Sequence, residues 1–244
     1  MRNKLIIIFC FLVFRAESQN NRATFGLQYK PIIVSSYFNA IEQISETNQF
    51  YLEPKYSNSF GMVIRYKINN TFSVEGGINY IQRNFMLGFN NNPDIHFTLS
   101  DGSPVYDYAD YTKFNLRSYE LPIQLLTYVR AAENWYLNIA FGISHNILAS
   151  GIFSQFEKHP DVFQNTYRRP GGYQALLANI GIEFRDQKTG HYYIGVSLHR
   201  PWEPIAKVYP EPSGGLDMFT ENEEIIFDVI GNFITLDLRY FFVK

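Results

Sequence analysis

Trp135-Tyr-Leu-Asn-Ile-Ala-Phe-Gly-Ile-Ser-His-Asn146 alternates bulky apolar residues with small or polar ones. In an extended chain Trp135, Leu137, Ile139, Phe141 and Ile143 share one face, and Tyr136, Asn138, Ala140, Gly142 and Ser144 share the other. Such a strand suits a soluble sheet or a membrane barrel equally. What separates the two is which face meets water.

The same period of two recurs along the whole chain, in segments at about 23–35, 60–68, 72–84, 114–130, 134–147, 173–185, 191–199 and 232–243. Most exceed the usual strand of about five or six residues and approach the roughly 9–11 that a tilted strand needs to cross a bilayer. The connections alternate long and short: 36–59, then 69–71, 85–113, 131–133, 148–172, 186–190 and 200–231. All short links therefore fall at one end of the sheet. This layout predicts an all-β fold, an eight-stranded antiparallel up-and-down transmembrane β-barrel with short periplasmic turns and long extracellular loops.

The N-terminus supports export. Arg2 and Lys4 precede the apolar run 5–14, and Ala16-Glu17-Ser18 forms a small-x-small end, so residues 1–18 read as a signal peptide and 19–244 as the barrel domain. Cys10, the single cysteine, lies inside the leader, and the exported chain would carry no disulfide. A net charge of -2 offers no basic footprint for nucleic acid.

Parity sorts each strand into two faces. The apolar one carries Val74 and Ile78, Leu121, Ile123 and Leu125, Ile180 and Ile182, Ile194 and Val196, and Leu236 and Leu238; the other mixes glycine, amides and both signs of charge. Three features turn the apolar face towards lipid. The polar face is rich in glycine, which suits a narrow lumen. Aromatic residues gather at the strand ends as interfacial girdles, with Phe72, Trp135, Phe184, Tyr192, Tyr240 and Phe242 at the short-turn end and Tyr80 and Phe114 towards the loops. Finally, Leu236-Asp-Leu-Arg-Tyr-Phe-Phe-Val-Lys244 runs to the terminus as a strand, so pairing with the first strand satisfies its edge.

At Ser118-Tyr-Glu-Leu-Pro-Ile-Gln-Leu-Leu-Thr-Tyr-Val129, residues Glu120, Leu121, Pro122 and Ile123 match the core of a Y-x-E-[IL]-P-[IL] strand, with Tyr119 one place closer to the glutamate. The chain thereby resembles the PorT-like outer-membrane β-barrel family of Bacteroidota, whose architecture is of the OmpA/OmpX kind. The aromatic-rich last strand resembles a barrel-assembly signal, although Val243 and Lys244 follow Phe242. The resemblance implies residence in the outer membrane and a role in a secretion (type IX-like) or gliding complex of the cell envelope.

Inward charges are the main candidate site. A three-residue turn at Asn69-Asn70-Thr71 would set Arg65 opposite Glu75; Glu120, Glu183 and Asp237 add carboxylates, and Arg185, Arg239, Lys30 and Arg130 are available partners. In a barrel this narrow, side chains fill the interior and buried charges must pair, so the cluster reads as a packed, closed lumen, with a small gated pore as the rival. Ser197 with His199, and Ser144 with His145, raise lipid-modifying chemistry, but no nucleophile elbow accompanies them, and the chain reads as non-enzymatic. Asp94, His96, Asp101, Asp107 and Asp110 fit neither zinc nor calcium spacing, so neither a metal nor a cofactor is expected. Tyr106, Tyr108, Tyr111, Trp202 and Tyr209 on the long loops are candidates for contact with a protein partner, beside the expected contact with outer-membrane lipid. The acidic run 221–224 favours a protein over an anionic glycolipid at its loop.

Overall fold

The computed structural model describes residues 22–33, 41–43, 50–89, 110–157, 162–186, 188–212 and 226–242. Its strands are β1 Ala23–Ile33, β2 Ile41–Gln43, β3 Phe50–Lys67, β4 Phe72–Phe89, β5 Asp110–Arg130, β6 Trp135–Leu148, β7 Ile152–Gln155, β8 Val162–Arg168, β9 Tyr173–Asp186, β10 Gly190–Pro201, β11 Ala206–Pro212, β12 Phe227–Val229 and β13 Phe233–Phe241. Eight of them close into an antiparallel barrel in the order β1-β13-β10-β9-β6-β5-β4-β3. Closure is made by β1 against β13, from Gly26 opposite Phe241 to Ile33 opposite Ile234, so the last strand leaves no edge.

Short turns hold one end of the barrel. The Asn69 Oδ1 accepts from the backbone N–H of Thr71 at 2.8 Å and of Phe72 at 2.7 Å, an Asx turn that reverses the chain between β3 and β4. Between β9 and β10 the Asp186 carboxylate accepts from the Thr189 hydroxyl and from the Lys188 N–H at 3.0 Å. Those donors hold its carboxyl below the usual aspartate range.

The outer wall is apolar through the middle of the barrel. Ile123 is 64% exposed, Phe141 62%, Ile180 53% and Ile194 52%. In water a band of this size would drive association; in a bilayer it is the solvated surface. Aromatic pairs mark both rims: Trp135 with Phe184 at 5.0 Å and Tyr192 with Tyr240 at 5.3 Å at the short-turn end, and Tyr80 with Tyr119 at 5.7 Å towards the loops.

Two expectations are corrected beyond that second rim. Phe114 is not a girdle residue: it is buried and stacks on Phe85 at 5.6 Å inside the barrel mouth. Nor are the long connections plain loops, for β2, β12, β11, β8 and β7 form a second, five-stranded sheet, and β3, β4 and β5 extend past the bilayer to meet it. The cause is a reversal of chemistry along the inward face, at constant parity on β4 and β5 and across a bulge between Lys55 and Asn58 on β3. Inward positions carry charge and amides as far as Glu120 on β5, but further out they become Leu116 and Phe114, joined by Phe85 and Leu87 on β4 and Phe50 and Leu52 on β3. Those side chains need cover, and Ile205, Ala206, Val208, Phe227, Val229 and Phe156 supply it in one continuous core. The lumen is thus ionic below and capped by an apolar plug above.

Candidate functional site

The register of β3 and β4 sets Arg65 opposite Glu75. Both point inward, and the Arg65 guanidinium spans the lumen to reach Glu183 on β9: its Nε donates to Glu75 Oε2 at 3.1 Å and its Nη1 to Glu183 Oε2 at 2.6 Å. Arg239 on β13 approaches from the other side, binding the second oxygen of Glu75 and donating to Asp237 Oδ2 at 2.6 Å. Ser197 Oγ and Asn179 Nδ2 also donate to Asp237 Oδ2, at 2.6 and 3.1 Å, and Lys30 Nζ lies 3.5 Å from it. Asn138 donates to Glu183 at 2.8 Å. The result is a chain of alternating charges crossing the barrel, nearly every member buried and each carboxylate bound more than once.

Arg185 closes the short-turn mouth. Its Nε donates to Glu183 Oε1 at 2.6 Å while its guanidinium lies over the rings of Tyr136 and Tyr128 at 4.0 and 4.4 Å. Arg65 similarly covers Phe241 at 3.8 Å. Glu120 stands apart from this cluster: it accepts from Asn79 Nδ2 at 2.7 Å and faces His199, whose Nε2 is 3.4 Å away. Arg130 is not luminal at all, since it turns out at the β5–β6 link and donates to the carbonyls of Ala132 and Glu133.

Residues outside the charged cluster expected from the sequence complete the interior. Arg83 donates to the Tyr173 hydroxyl and to the Gly231 carbonyl, with its guanidinium 4.8 Å over Phe233. His199 stacks on that same ring at 4.3 Å. The Tyr193 hydroxyl donates to Asn179 Oδ1 at 2.6 Å and occupies the space where Gly181 and Gly195 lack a Cβ. Replacing Gly195 by alanine should therefore displace the phenol, detectable as a lowered unfolding midpoint that Tyr193→Phe does not reproduce in full. The parity that puts Asn79 on the polar face with Glu75 extends to Arg83; nothing in the local sequence marks Tyr193 against its glycines.

The nucleophile pairs do not assemble. Ser197 gives its hydrogen bond to Asp237 rather than to His199. Ser144 points inward and accepts from Asn146 at 2.8 Å, whereas His145 faces outward beside Gln174. Among the described residues no group of three His, Cys, Asp or Glu side chains could hold a metal ion.

The second site is the outward face of the five-stranded sheet. Strand parity sends Val208, Phe227 and Val229 to the core and leaves Phe153, Phe163, Tyr167 and Tyr209 outside. Phe153 and Phe163 pack at 5.3 Å, Tyr167 and Tyr209 meet edge to face at 5.4 Å, and Asn165 lies in register between Phe153 and Tyr209. Trp202 is 58% exposed just beyond β10, and Tyr111 is half-buried on β5 beneath Lys113. Phe153, Phe163 and Tyr167 escaped the sequence reading because their segment has the composition of a loop. Tyr106 and Tyr108, Asp94, His96, Asp101 and Asp107, the run 221–224 and the leader 1–18 lie outside the described residues.

A protein-family model described as "Outer membrane protein beta-barrel domain" matches residues 18–208. Among solved structures, OprG from Pseudomonas aeruginosa superposes with a TM-score of 0.51 at 11% identity, over 91% of this chain and 95% of its own. A major outer membrane protein from Thermus thermophilus gives 0.41 at 10% identity over 90% and 99%, and Ail of Yersinia pestis 0.36 at 13% over 91% and 98%. The likeness to OprG is one of fold. Comparison with curated protein sequences finds no match.

Proposed function

Because the chain belongs to the outer membrane protein β-barrel domain family, we propose that it is a non-enzymatic anchor that presents a rigid aromatic sheet to a protein partner at the cell surface, as an accessory subunit of an envelope complex. One observation carries this reading: Phe153, Phe163, Tyr167 and Tyr209 stand on the wet face of a sheet whose other face is fused to the barrel core. Aromatic side chains on a fixed backbone lose little entropy on binding and supply large contact areas, which is the composition of interface hot spots. The likeness of Tyr119-Glu120-Leu121-Pro122-Ile123 to PorT-like barrels supports placing that complex in a secretion (type IX-like) apparatus.

A packed lumen suits an anchor better than a channel, and the separate engagements of Ser197 and His199 suit it better than a hydrolase. A photo-cross-linker at Asn165 in living cells tests the interface. A discrete adduct that disappears in the Phe153→Ser/Tyr167→Ser variant, with barrel folding unchanged, is expected; adducts that persist in that variant would count against it. Ser197→Ala and His199→Gln should leave the acylation pattern of outer-membrane lipids as it is, read by mass spectrometry of extracted lipid. An altered pattern would instead favour a lipid-modifying enzyme.

A further inference from the structure

Along the outward face of β5 the side chains change character at Tyr119. On its periplasmic side Leu121, Ile123 and Leu125 belong to the apolar belt; on the other stand Arg117, Asn115 and Lys113. The neighbouring strand β4 makes the same change, with Gln82 and Asn84 in register with Arg117 and Asn115. Tyr80 packs on Tyr119 at the boundary itself. Between β5 and residues 150–154 opens a cleft of about 420 Å³. It is lined by Lys113, Asn115 and Arg117 on one side and by Ser150, Phe153 and Ser154 on the other.

Among the described residues the two cations in this cleft have no carboxylate partner. Arg117 Nε donates to Asn115 Oδ1 at 2.8 Å, which leaves the rest of the guanidinium fork open, and Lys113 Nζ lies 5.0 Å from the Tyr111 ring. Neither has a carboxylate within ion-pair distance among the described residues, whereas Lys55, Lys207 and Arg169 on the same side of the membrane pair with Glu53, Asp228 and Glu203. With a rise of about 3.3 Å per residue and the usual barrel tilt, Arg117 stands roughly 5 Å and Lys113 roughly 15 Å above Tyr119. A headgroup layer begins at that height, and a span of this depth suits a headgroup larger than a simple phospholipid's. The Arg117 guanidinium, the Lys113 ammonium, the Asn115 amide and the Ser150 hydroxyl form the donor set that recognises phosphate on a sugar, while Ser154 Oγ is held by Thr112 and Gln164.

We infer that the β5 cleft holds the phosphorylated headgroup of an outer-leaflet glycolipid, with Arg117 and Lys113 as its phosphate ligands and the apolar belt beneath it receiving the acyl chains. This assignment rests on the position of the belt and on Arg117 and Lys113, which the proposed protein interface does not use, although Phe153 borders both.

Native mass spectrometry of the full chain in nanodiscs tests it, with bis-phosphorylated lipid A, its dephosphorylated counterpart and inorganic phosphate as probes. The parent protein should retain the phosphorylated lipid about tenfold better than the dephosphorylated one. Lys113→Gln/Arg117→Gln should abolish that preference, Arg117→Lys should keep part of it, and Lys207→Gln, remote from the cleft, should keep all of it. Folding of each variant is checked by its heat-dependent gel migration. An unchanged preference in the double variant would overturn the assignment. So would inorganic phosphate displacing the lipid at matched concentration, which would make the cleft a site for free anions.

Discussion

Glu75→Ala is expected to lower the stability of the folded barrel by about 3–5 kcal/mol, measured as the shift in urea-induced unfolding in detergent micelles. The size follows from what the carboxylate holds. Its two oxygens engage two guanidiniums from different strands, Arg65 on β3 and Arg239 on β13, and all three side chains are buried. Alanine removes the anion and leaves two cations facing each other across a space closed to water. Arg65 retains Glu183 and Arg239 retains Asp237, so the loss stays bounded rather than catastrophic. Glu75→Gln keeps hydrogen-bond acceptance without the charge and should fall between the parent and Glu75→Ala. The exposed pair at the other end of β3 provides the contrast: Glu53→Ala breaks a 2.7 Å bridge to Lys55 yet should cost less than about 1 kcal/mol, because both groups are solvated. A Glu75→Ala cost as small as that of Glu53→Ala would mean that water reaches the network. The lumen would then be a conducting path rather than a filled core, and single-channel openings in a planar bilayer should accompany it.

The two glutamates also show how much could be read without coordinates. Glu75 was placeable because the turn at 69–71 fixes the register and the period of two fixes the face, and both are local properties of the chain. The barrel, its belt and most of its ionic interior follow from the same two facts. Parity has no such grip on the half that carries the second sheet. Phe114 and Glu120 share a parity, so both point inward, but one lies level with lipid headgroups or beyond and the other within the bilayer. What makes an inward phenylalanine suitable at 114 is cover from Ile205, Val208 and Phe227, residues far away in the chain, and no pattern in the 110–130 segment announces them. The short strands β7, β8, β11 and β12 are legible only as partners of one another. Their turns of chain between Pro, Gly and Asn read as loops, and the aromatic face they build went unseen except at Tyr209.

The orientation of the wall can be tested separately from its contents. Val196 lies midway along β10, exposed on the outside, opposite Ile180 on β9 and Leu236 on β13, both of which share the apolar belt. Val196→Arg puts a guanidinium at the depth where a lipid-facing position has hydrocarbon on every side, and it should destabilise the barrel in phospholipid bilayers by about 2–4 kcal/mol. Snorkelling cannot relieve much of this, since an arginine side chain is shorter than half the hydrocarbon thickness. Asn115→Arg, on the same outward surface but above Tyr119, should cost no more than about 1 kcal/mol, and Ile180→Arg should repeat the large effect one strand away. Depth, not the introduced charge, would then be the controlling variable. If all three arginines were equally harmless, the apolar wall would be facing something other than lipid, and the assignment of inside and outside would have to be exchanged.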